Sequence, residues 1–125
     1  MADDDVVGSA LEVLAIDDAL PLTRDGGDAS AFSEGERAYA QARSDPDRRL
    51  AARLAAKRAA LRLLGEDLAL RDIEVVRGRG GPPRLELSAR AQERLRALGA
   101  RSTRVSLTHE RRHAAASVLL LRGRE

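Results

Sequence analysis

The segment 46–64 constrains the fold most, because it carries the signals of one long helix at both of its ends. Asp45 stands at a capping position, Pro46 occupies the first helical position, and Gly65 follows the last turn. Leucines recur between these signals at helical spacing and fall on one narrow stripe, at positions 50, 54, 61 and 64. We therefore expect a single long helix that Gly65 ends and that packs its leucine stripe into a core.

Weaker signals on both sides of this helix predict an α+β fold. Ser33, with Glu36 three residues later, forms a capping box that starts a short helix running to about Arg43. The segment 17–31 is polar and contains glycine, so we interpret it as a long loop. The other predicted elements are strands at Val6–Ile16, 73–77, 85–87, 105–109 and 114–121, and a helix at 89–98 that Ser88 caps and whose apolar face includes Leu98. This order predicts a mainly antiparallel sheet with helices packed on one side.

The composition limits both the core and the chemistry. Hydrophobic residues make up 43% of the 125 residues but aromatic residues only 2%, so leucine, alanine and valine must fill the core. The chain has no cysteine, which excludes disulfides, thiolate metal ligands and a cysteine nucleophile. The longest apolar run, 118–121, is far too short to span a bilayer. We expect a cytoplasmic protein with a single domain over residues 1–125, of which residues 1–5 are an acidic tail.

The charges divide the chain into an acidic arm and a basic body. Residues 1–36 hold ten acids and one base, whereas the rest of the chain holds 21 bases and ten acids. A basic body suits an acidic or phosphate-bearing partner. Nucleic acid is one such partner, and a nucleic-acid-binding module is one candidate function. Against it, the arginines are dispersed over several elements and almost no aromatic residue is present to stack on bases.

Lys57 is the only lysine among the 22 basic residues, and it falls inside the leucine stripe of the long helix. A buried charge in that position is costly unless it finds an anion or reaches water. One interpretation is that its carbon stem packs in the core while its ammonium group passes the helix edge into water. The other is that it points into a cleft and holds a phosphate or a carboxylate, which a compact, flexible charge does better than a guanidinium fork.

The same helix carries the pattern of a known family. The run 50–59, Leu-Ala-Ala-Arg-Leu-Ala-Ala-Lys-Arg-Ala, resembles the signature helix of the holo-acyl-carrier-protein synthases, which are small phosphopantetheinyl transferases. Phe32-Ser33, Glu36 and Tyr39 are similar to the family's Phe-Thr-x-x-Glu-x-x-Tyr. Further similar motifs follow the family's order and spacing, at Gly8-Ser9-Ala10-Leu11, Ile73-Glu74-Val75, Gly81-Pro82-Pro83 and Val105-Ser106-Leu107-Thr108-His109-Glu110. The resemblance therefore extends over most of the chain.

This resemblance implies a phosphopantetheinyl transferase-like α+β fold that assembles as a homotrimer with active sites between subunits. It implies transfer of phosphopantetheine from coenzyme A to a serine of an acyl carrier protein, with Mg²⁺ on the pyrophosphate. By carry-over, Lys57 is the candidate catalytic residue, in contact with the phosphopantetheine phosphate or the acceptor serine. His109 would lie against the coenzyme A phosphates, although without the resemblance it is equally a hydrogen-bonded residue at a strand end. Arg53 belongs to the same substrate side, and Gly81 and Pro83 would frame the adenine.

Two departures affect the metal site that the resemblance implies. The family holds Mg²⁺ with an aspartate on the first strand and with the glutamate after the helix lysine, and here these positions are Ala10 and Arg58. Alanine offers no oxygen ligand, and arginine repels a cation. Glu12 is the nearby candidate ligand, because residues two apart on a strand share a face. We expect Glu12 and Arg58 to neutralise one another, or Arg58 to contact the phosphates directly.

These departures lead to two hypotheses of function. The first is a degenerate or repurposed family member, in effect a pseudoenzyme, which keeps the recognition of coenzyme A or acyl carrier protein and has lost the ordinary Mg²⁺-dependent activity. Its cofactor-binding residues would be Arg53, Lys57, Arg58, Gly81, Pro83 and His109. The second is an active transferase with a rebuilt metal site, in which Glu12 or an acid of the Asp17-Asp18 region binds the ion.

Overall fold

The computed structural model describes residues 5–24, 31–77 and 80–123. The described elements are, in chain order, β1 (Val6–Ala15), α1 (Ile16–Thr23), α2 (Glu34–Gln41), α3 (Pro46–Leu64), a short 3-10 helix (Leu70–Asp72), β2 (Ile73–Arg77), β3 (Pro83–Leu87), α4 (Ala89–Ala97), β4 (Ser102–His109) and β5 (His113–Leu121). All strand pairs are antiparallel in the part of the chain that is described, so the predicted α+β class is confirmed. Residues 1–4 of the expected acidic tail at 1–5 lie outside the described residues.

The strands form two sheets. β5 is the central strand of a three-stranded sheet in the order β1-β5-β4, and β2 pairs with β3. Along β5, alternate side chains are buried and pack toward α3, and these are Ala114, Ala116, Val118 and Leu120. β1 turns Gly8, Ala10 and Glu12 to the same side, because exposed residues alternate with them. The first strand and the long helix therefore face one another.

α3 is buried on more faces than its leucine stripe predicts. Leu50 and Leu54 are fully buried as expected, but alanines on the other faces are buried too, at 51, 52, 55, 56, 59 and 60. The helix packs against β1, β4 and β5 of the large sheet, against β2, and against the other three helices. Alanine permits this close approach on several sides, since interiors leave little free space around a helix. α3 thus lies at the centre of the molecule, and few of its positions are exposed to solvent.

The segment after β1 corrects the sequence analysis. Ile16–Thr23 forms α1, where we expected the end of a strand followed by a loop. Ile16 and Ala19 are buried in the core, although Pro21 lies within the helix. The proline and the neighbouring acids are typical of a turn, whereas the helix is stabilised by packing on α3, which no local pattern reveals. Residues 25–30 of the expected loop lie outside the described part of the chain.

Helix ends mostly follow the predicted signals. Ser33 and Glu36 form the expected capping box, α2 ends at Gln41 rather than near Arg43, and Ser88 caps α4. Asp45 does not cap α3, because its carboxylate instead accepts a 2.9 Å hydrogen bond from Nε of Arg49.

Other boundaries differ by a few residues. β3, β4 and β5 begin earlier than expected, at Pro83, Ser102 and His113. Leu98 was expected on the apolar face of α4 but is exposed, because the helix ends at Ala97.

The outer face of β1 is apolar and exposed. Leu11 is 62% exposed and Val13 is 58% exposed, on the strand face that points away from α3. β1 is also an edge strand of its sheet. Within residues 5–24, 31–77 and 80–123, no helix is both long and apolar enough to cross a membrane.

Candidate functional site

Lys57 is buried and fully engaged with the protein's own groups. Its side chain is 1% exposed, and its ammonium forms an ion pair with Glu36 at 2.7 Å. It also donates hydrogen bonds to the carbonyls of Ala31 at 2.8 Å and Leu70 at 3.5 Å. Burial lowers the pKa of Lys57, and the nearby carboxylate of Glu36 partly offsets this. Within the described chain, the ammonium therefore does not pass the helix edge into water, as the first interpretation has it, and does not open onto a cleft, as the second has it. The anion that it meets is the buried carboxylate of Glu36.

Glu36 connects three elements around this ion pair. One carboxylate oxygen accepts from the backbone N–H of Ser33 at 2.7 Å, and the other accepts from that of Val75 at 2.7 Å. Since Glu36 lies on α2, Lys57 on α3 and Val75 on β2, the network fixes the relative position of all three. The catalytic contact implied for Lys57 remains a prediction, and it requires the ammonium to exchange one of its three protein acceptors for substrate.

A cluster of arginines surrounds the only tyrosine of the chain. The guanidinium carbons of Arg43 and Arg53 lie 4.4 and 4.2 Å from the ring centroid of Tyr39, within the range of cation–π contact. Burial raises the pKa of Tyr39, but a hydrogen bond from Arg43 and the charges of Arg77 and Arg53 outweigh it, so the pKa lies below its usual value. We call Tyr39, Arg43, Arg53 and Arg77 the Tyr39 cluster.

Arg53 is the buried member of the Tyr39 cluster. It is 3% exposed, its Nη1 donates to the carbonyl of Arg49 at 3.4 Å, and its Nε has no hydrogen-bond partner. Burial lowers its pKa, and Tyr39 acts in the opposite direction. No described carboxylate forms an ion pair with the arginines of the cluster. An unmatched positive charge with a buried free donor is suited to an anionic ligand.

His109 lies at the end of β4, close to the beginning of α3. The hydrogen bond from Arg49 lowers the pKa of Asp45, and the charge of His109 acts in the same direction, which places the imidazole near this carboxylate. No described residue forms a hydrogen bond with the His109 ring. His109 is therefore associated with the beginning of α3, and its contact with the coenzyme A phosphates stays a prediction.

The positions of the family's metal ligands do not form a metal site here. Glu12 lies on the face of β1 that meets α3, but its carboxylate pairs with Nη2 of Arg62 at 3.1 Å. The same nitrogen donates to the carbonyl of Leu11. The expected pairing of Glu12 with Arg58 is therefore wrong, because the arginine one turn further along α3 takes the carboxylate. Arg58 itself is exposed and has no ion pair among the described residues.

The donor set at these positions does not fit a divalent cation. Mg²⁺ is normally bound through one or two carboxylates, waters and substrate phosphates. Ala10 has no donor, Arg58 is cationic, and Glu12 is already neutralised by Arg62. The described residues contain no group of three or more histidine, aspartate or glutamate side chains placed to hold a metal. The hypothesis of a rebuilt site that uses Glu12 or an acid of the Asp17-Asp18 region stays a prediction, because one or two carboxylates together with substrate phosphates can hold Mg²⁺.

Gly81 and Pro83 belong to another feature, a groove of about 1090 Å³ between β3, α4 and β4. Leucines and a valine form part of its lining, and four arginines surround it, namely Arg84, Arg96, Arg101 and Arg104. Lys57, Arg53, Arg58 and His109 do not line this groove. Within one chain, Gly81 and Pro83 are therefore separate from the other predicted site residues.

The sequence analysis did not find the full Tyr39 cluster. The sequence predicts Tyr39 only as part of a motif, and Arg43 and Arg77 only as the ends of a helix and a strand. One signal was available, because Tyr39 and Arg43 are four residues apart and share a face of α2 extended by one turn. The contribution of Arg77 comes from β2 and is visible only in the fold.

Comparison with known proteins gives the relatives of this chain. No protein-family model matches it. A protein of Moorella thermoacetica named holo-[acyl-carrier-protein] synthase is 43% identical over 95 residues, which are 74% of this chain and 74% of that protein. The solved acyl carrier protein synthase of Mycobacterium tuberculosis is 34% identical with a TM-score of 0.68, covering 92% of this chain and 96% of that one. A Chronobacterium ammoniagenes ACPS-CoA complex is 27% identical with a TM-score of 0.71, covering 94% and 98%.

Proposed function

Because the chain belongs to the holo-[acyl-carrier-protein] synthase family, we propose that it binds coenzyme A and an acyl carrier protein but does not carry out ordinary Mg²⁺-dependent transfer of phosphopantetheine. One observation carries the second half of this proposal. Where the family has two metal-binding carboxylates, this chain has Ala10 and Arg58, and the remaining acid, Glu12, is held by Arg62.

Recognition of coenzyme A is supported by a similar protein and by local charge. A relative of 27% identity has been solved in complex with coenzyme A. Coenzyme A presents a pyrophosphate and a ribose phosphate, and arginine forks bind such groups through paired N–H donors. In the Tyr39 cluster, Arg43 and Arg53 stack on the ring, so their guanidinium groups lose less freedom when a phosphate binds. Arg53 and His109 are the residues that we propose to contact these phosphates.

Lys57 and Glu36 have a positioning role in this proposal. Their ion pair fixes α2 against α3, and this sets Tyr39 on one helix against Arg53 on the other. Gly81 and Pro83 are proposed to frame the adenine, in a groove with arginines on its rim. The basic body of the chain is the counterpart of an acidic carrier protein, whose approach a positive field accelerates.

Loss of the metal ligands has a calculable consequence for phosphoryl transfer. Such reactions depend on positioning and on neutralisation of phosphate charge, to which the metal contributes strongly. A rate lowered by about three powers of ten corresponds to about 4 kcal/mol in the activation barrier. We therefore expect no ordinary Mg²⁺-dependent synthase activity from this chain.

The names of the relatives favour a second candidate, an active transferase. A relative of 43% identity over three quarters of the chain is a holo-[acyl-carrier-protein] synthase by name. In that case the ion would be held by Glu12 or an acid near Asp17, after a rearrangement that frees Glu12 from Arg62.

A mass measurement separates the two candidates. Apo carrier protein is incubated with coenzyme A, Mg²⁺ and this protein, with the Moorella thermoacetica relative as positive control, and coenzyme A binding is measured by calorimetry. Binding without a mass gain on the carrier protein supports the proposal. A mass gain of one phosphopantetheine establishes the active transferase, and absence of coenzyme A binding refutes both.

We also propose a homotrimer in the cytoplasm. The exposed apolar side chains Leu11 and Val13 on an edge strand would be covered by a neighbouring subunit. Light scattering after chromatography tests the assembly. We expect a trimer that Leu11→Arg dissociates and that exposed Arg84→Met leaves intact, whereas a monomeric wild-type protein would contradict it.

A further inference from the structure

We propose that Arg58 is a fixed cation that takes the place of the metal, so that its guanidinium group binds the pyrophosphate of coenzyme A and binding needs no divalent ion. This inference rests on the proposed recognition of coenzyme A and specifies how it occurs.

Arg58 is distinct among the cations of α3. Arg48 and Arg49 contact Asp45, Arg53 stacks on Tyr39, Lys57 pairs with Glu36, and Arg62 pairs with Glu12. Arg58 alone of the helix cations has no such partner among the described residues. It is also the one exposed residue in the otherwise buried run 50–60. A charged side chain that is exposed on a buried helix and lacks a protein anion is available to a ligand.

The ion pair between Arg62 and Glu12 leaves Arg58 available to an anionic ligand. Glu12 is the acid on the facing side of β1, and Arg58 and Arg62 are four residues apart on the same helix face. The carboxylate is taken by Arg62, which also donates to the backbone of β1 at Leu11. Glu12 is thereby removed as a metal ligand and as a partner of Arg58 at once.

The net charge at these two positions becomes positive although the metal ligands are lost. Two carboxylates together with a divalent cation carry no net charge, whereas Ala10 and Arg58 together carry +1. A pyrophosphate therefore meets a positive group here without any ion. A guanidinium also offers several N–H donors in a planar fork that matches adjacent phosphate oxygens.

Calorimetric titration with coenzyme A, once with EDTA and once with Mg²⁺, tests the inference. We expect the wild-type affinity to be the same in both buffers within twofold. Arg58→Ala should weaken binding at least tenfold in both, as expected for loss of a charge-assisted contact. Arg90→Ala is the matched control, because Arg90 is exposed on α4 and its ion pair with Asp72, at 3.9 Å, is a long one. It should leave the affinity unchanged.

A second variant restores the family's ligands. Ala10→Asp combined with Arg58→Glu should bind Mn²⁺, as seen by electron paramagnetic resonance, and should bind coenzyme A only with the metal. Circular dichroism verifies that the double variant folds. If the half-buried aspartate prevents folding, Arg58→Glu alone is measured instead, and it should lose coenzyme A binding in EDTA. Binding of wild-type protein only with Mg²⁺, or full affinity in Arg58→Ala, overturns this inference alone. No binding in either buffer overturns the proposed function as well.

Discussion

Replacement of Lys57 by methionine should destabilise the protein severely, because it leaves a carboxylate buried without its counter-charge. Methionine keeps most of the carbon stem, so the packing around α3 is largely preserved. What is lost is the 2.7 Å ion pair with Glu36 and two hydrogen bonds to backbone carbonyls. Glu36 is 1% exposed, so we expect its carboxylate to stay buried in the variant.

The expected magnitude follows from the partners that remain. Removing one partner of a buried ion pair costs about 3–5 kcal/mol. Glu36 keeps two backbone donors, at Ser33 and Val75, so we expect the lower end, about 3 kcal/mol. For a domain of this size, a loss of that order lowers the melting temperature by roughly 10 °C or more.

Chemical denaturation at neutral pH measures the effect. Arg84→Met is the matched control, since it breaks the exposed ion pair with Glu86 by the same truncation and should cost less than about 1 kcal/mol. The double variant with Glu36→Gln should be more stable than Lys57→Met alone, because no charge is left buried. A Lys57→Met loss no larger than that of the control, or a double variant no better than the single one, would refute the buried pair as described.

Three further predictions concern the supports of α3 and α4. Hydrogen bonds from Arg94 lower the pKa of Asp67 to about 2. The ionised carboxylate therefore stabilises the fold above about pH 4, and this contribution is lost as the pH falls toward 2. In Arg94→Ala, the Asp67 pKa measured by NMR should return toward 3.8, and the free energy of unfolding should depend less on pH between 4 and 2. Gly65→Ala should cost about 1–3 kcal/mol in denaturation, because Gly65 has a φ of 137° and an added Cβ would meet Arg94; an unchanged stability would contradict this backbone conformation. Ser88→Ala should cost about 1 kcal/mol by removing the cap of α4, whereas Ser88→Thr should keep most of the stability.

Local signals in the sequence were sufficient for most of the fold. The capping box of Ser33 and Glu36, the end of α3 at Gly65 and the cap at Ser88 each depend on residues within one turn, so the sequence contains them directly. α1 was missed for the opposite reason. Its helix is stabilised by burial against α3, while Pro21 and its acidic neighbours locally indicate a turn.

The site depended more on contacts between distant segments. Lys57 was correctly placed on the buried face of α3, but its partner Glu36 lies on another helix, and no spacing rule connects them. The sequence could not predict that Glu12 pairs with Arg62 and not with Arg58, because both arginines lie on the same face of α3. The two substituted ligand positions, in contrast, could be identified from the sequence, since they follow from motif positions alone.

The most direct test of the central claim is a crystal structure of the protein with coenzyme A and Mn²⁺, with data collected to show the anomalous signal of manganese. We expect density for the nucleotide, the Arg58 guanidinium group against its pyrophosphate, and no anomalous peak beside β1. A manganese ion coordinated by Glu12 and the pyrophosphate, with Arg62 displaced, would contradict the account and identify the protein as a metal-dependent transferase.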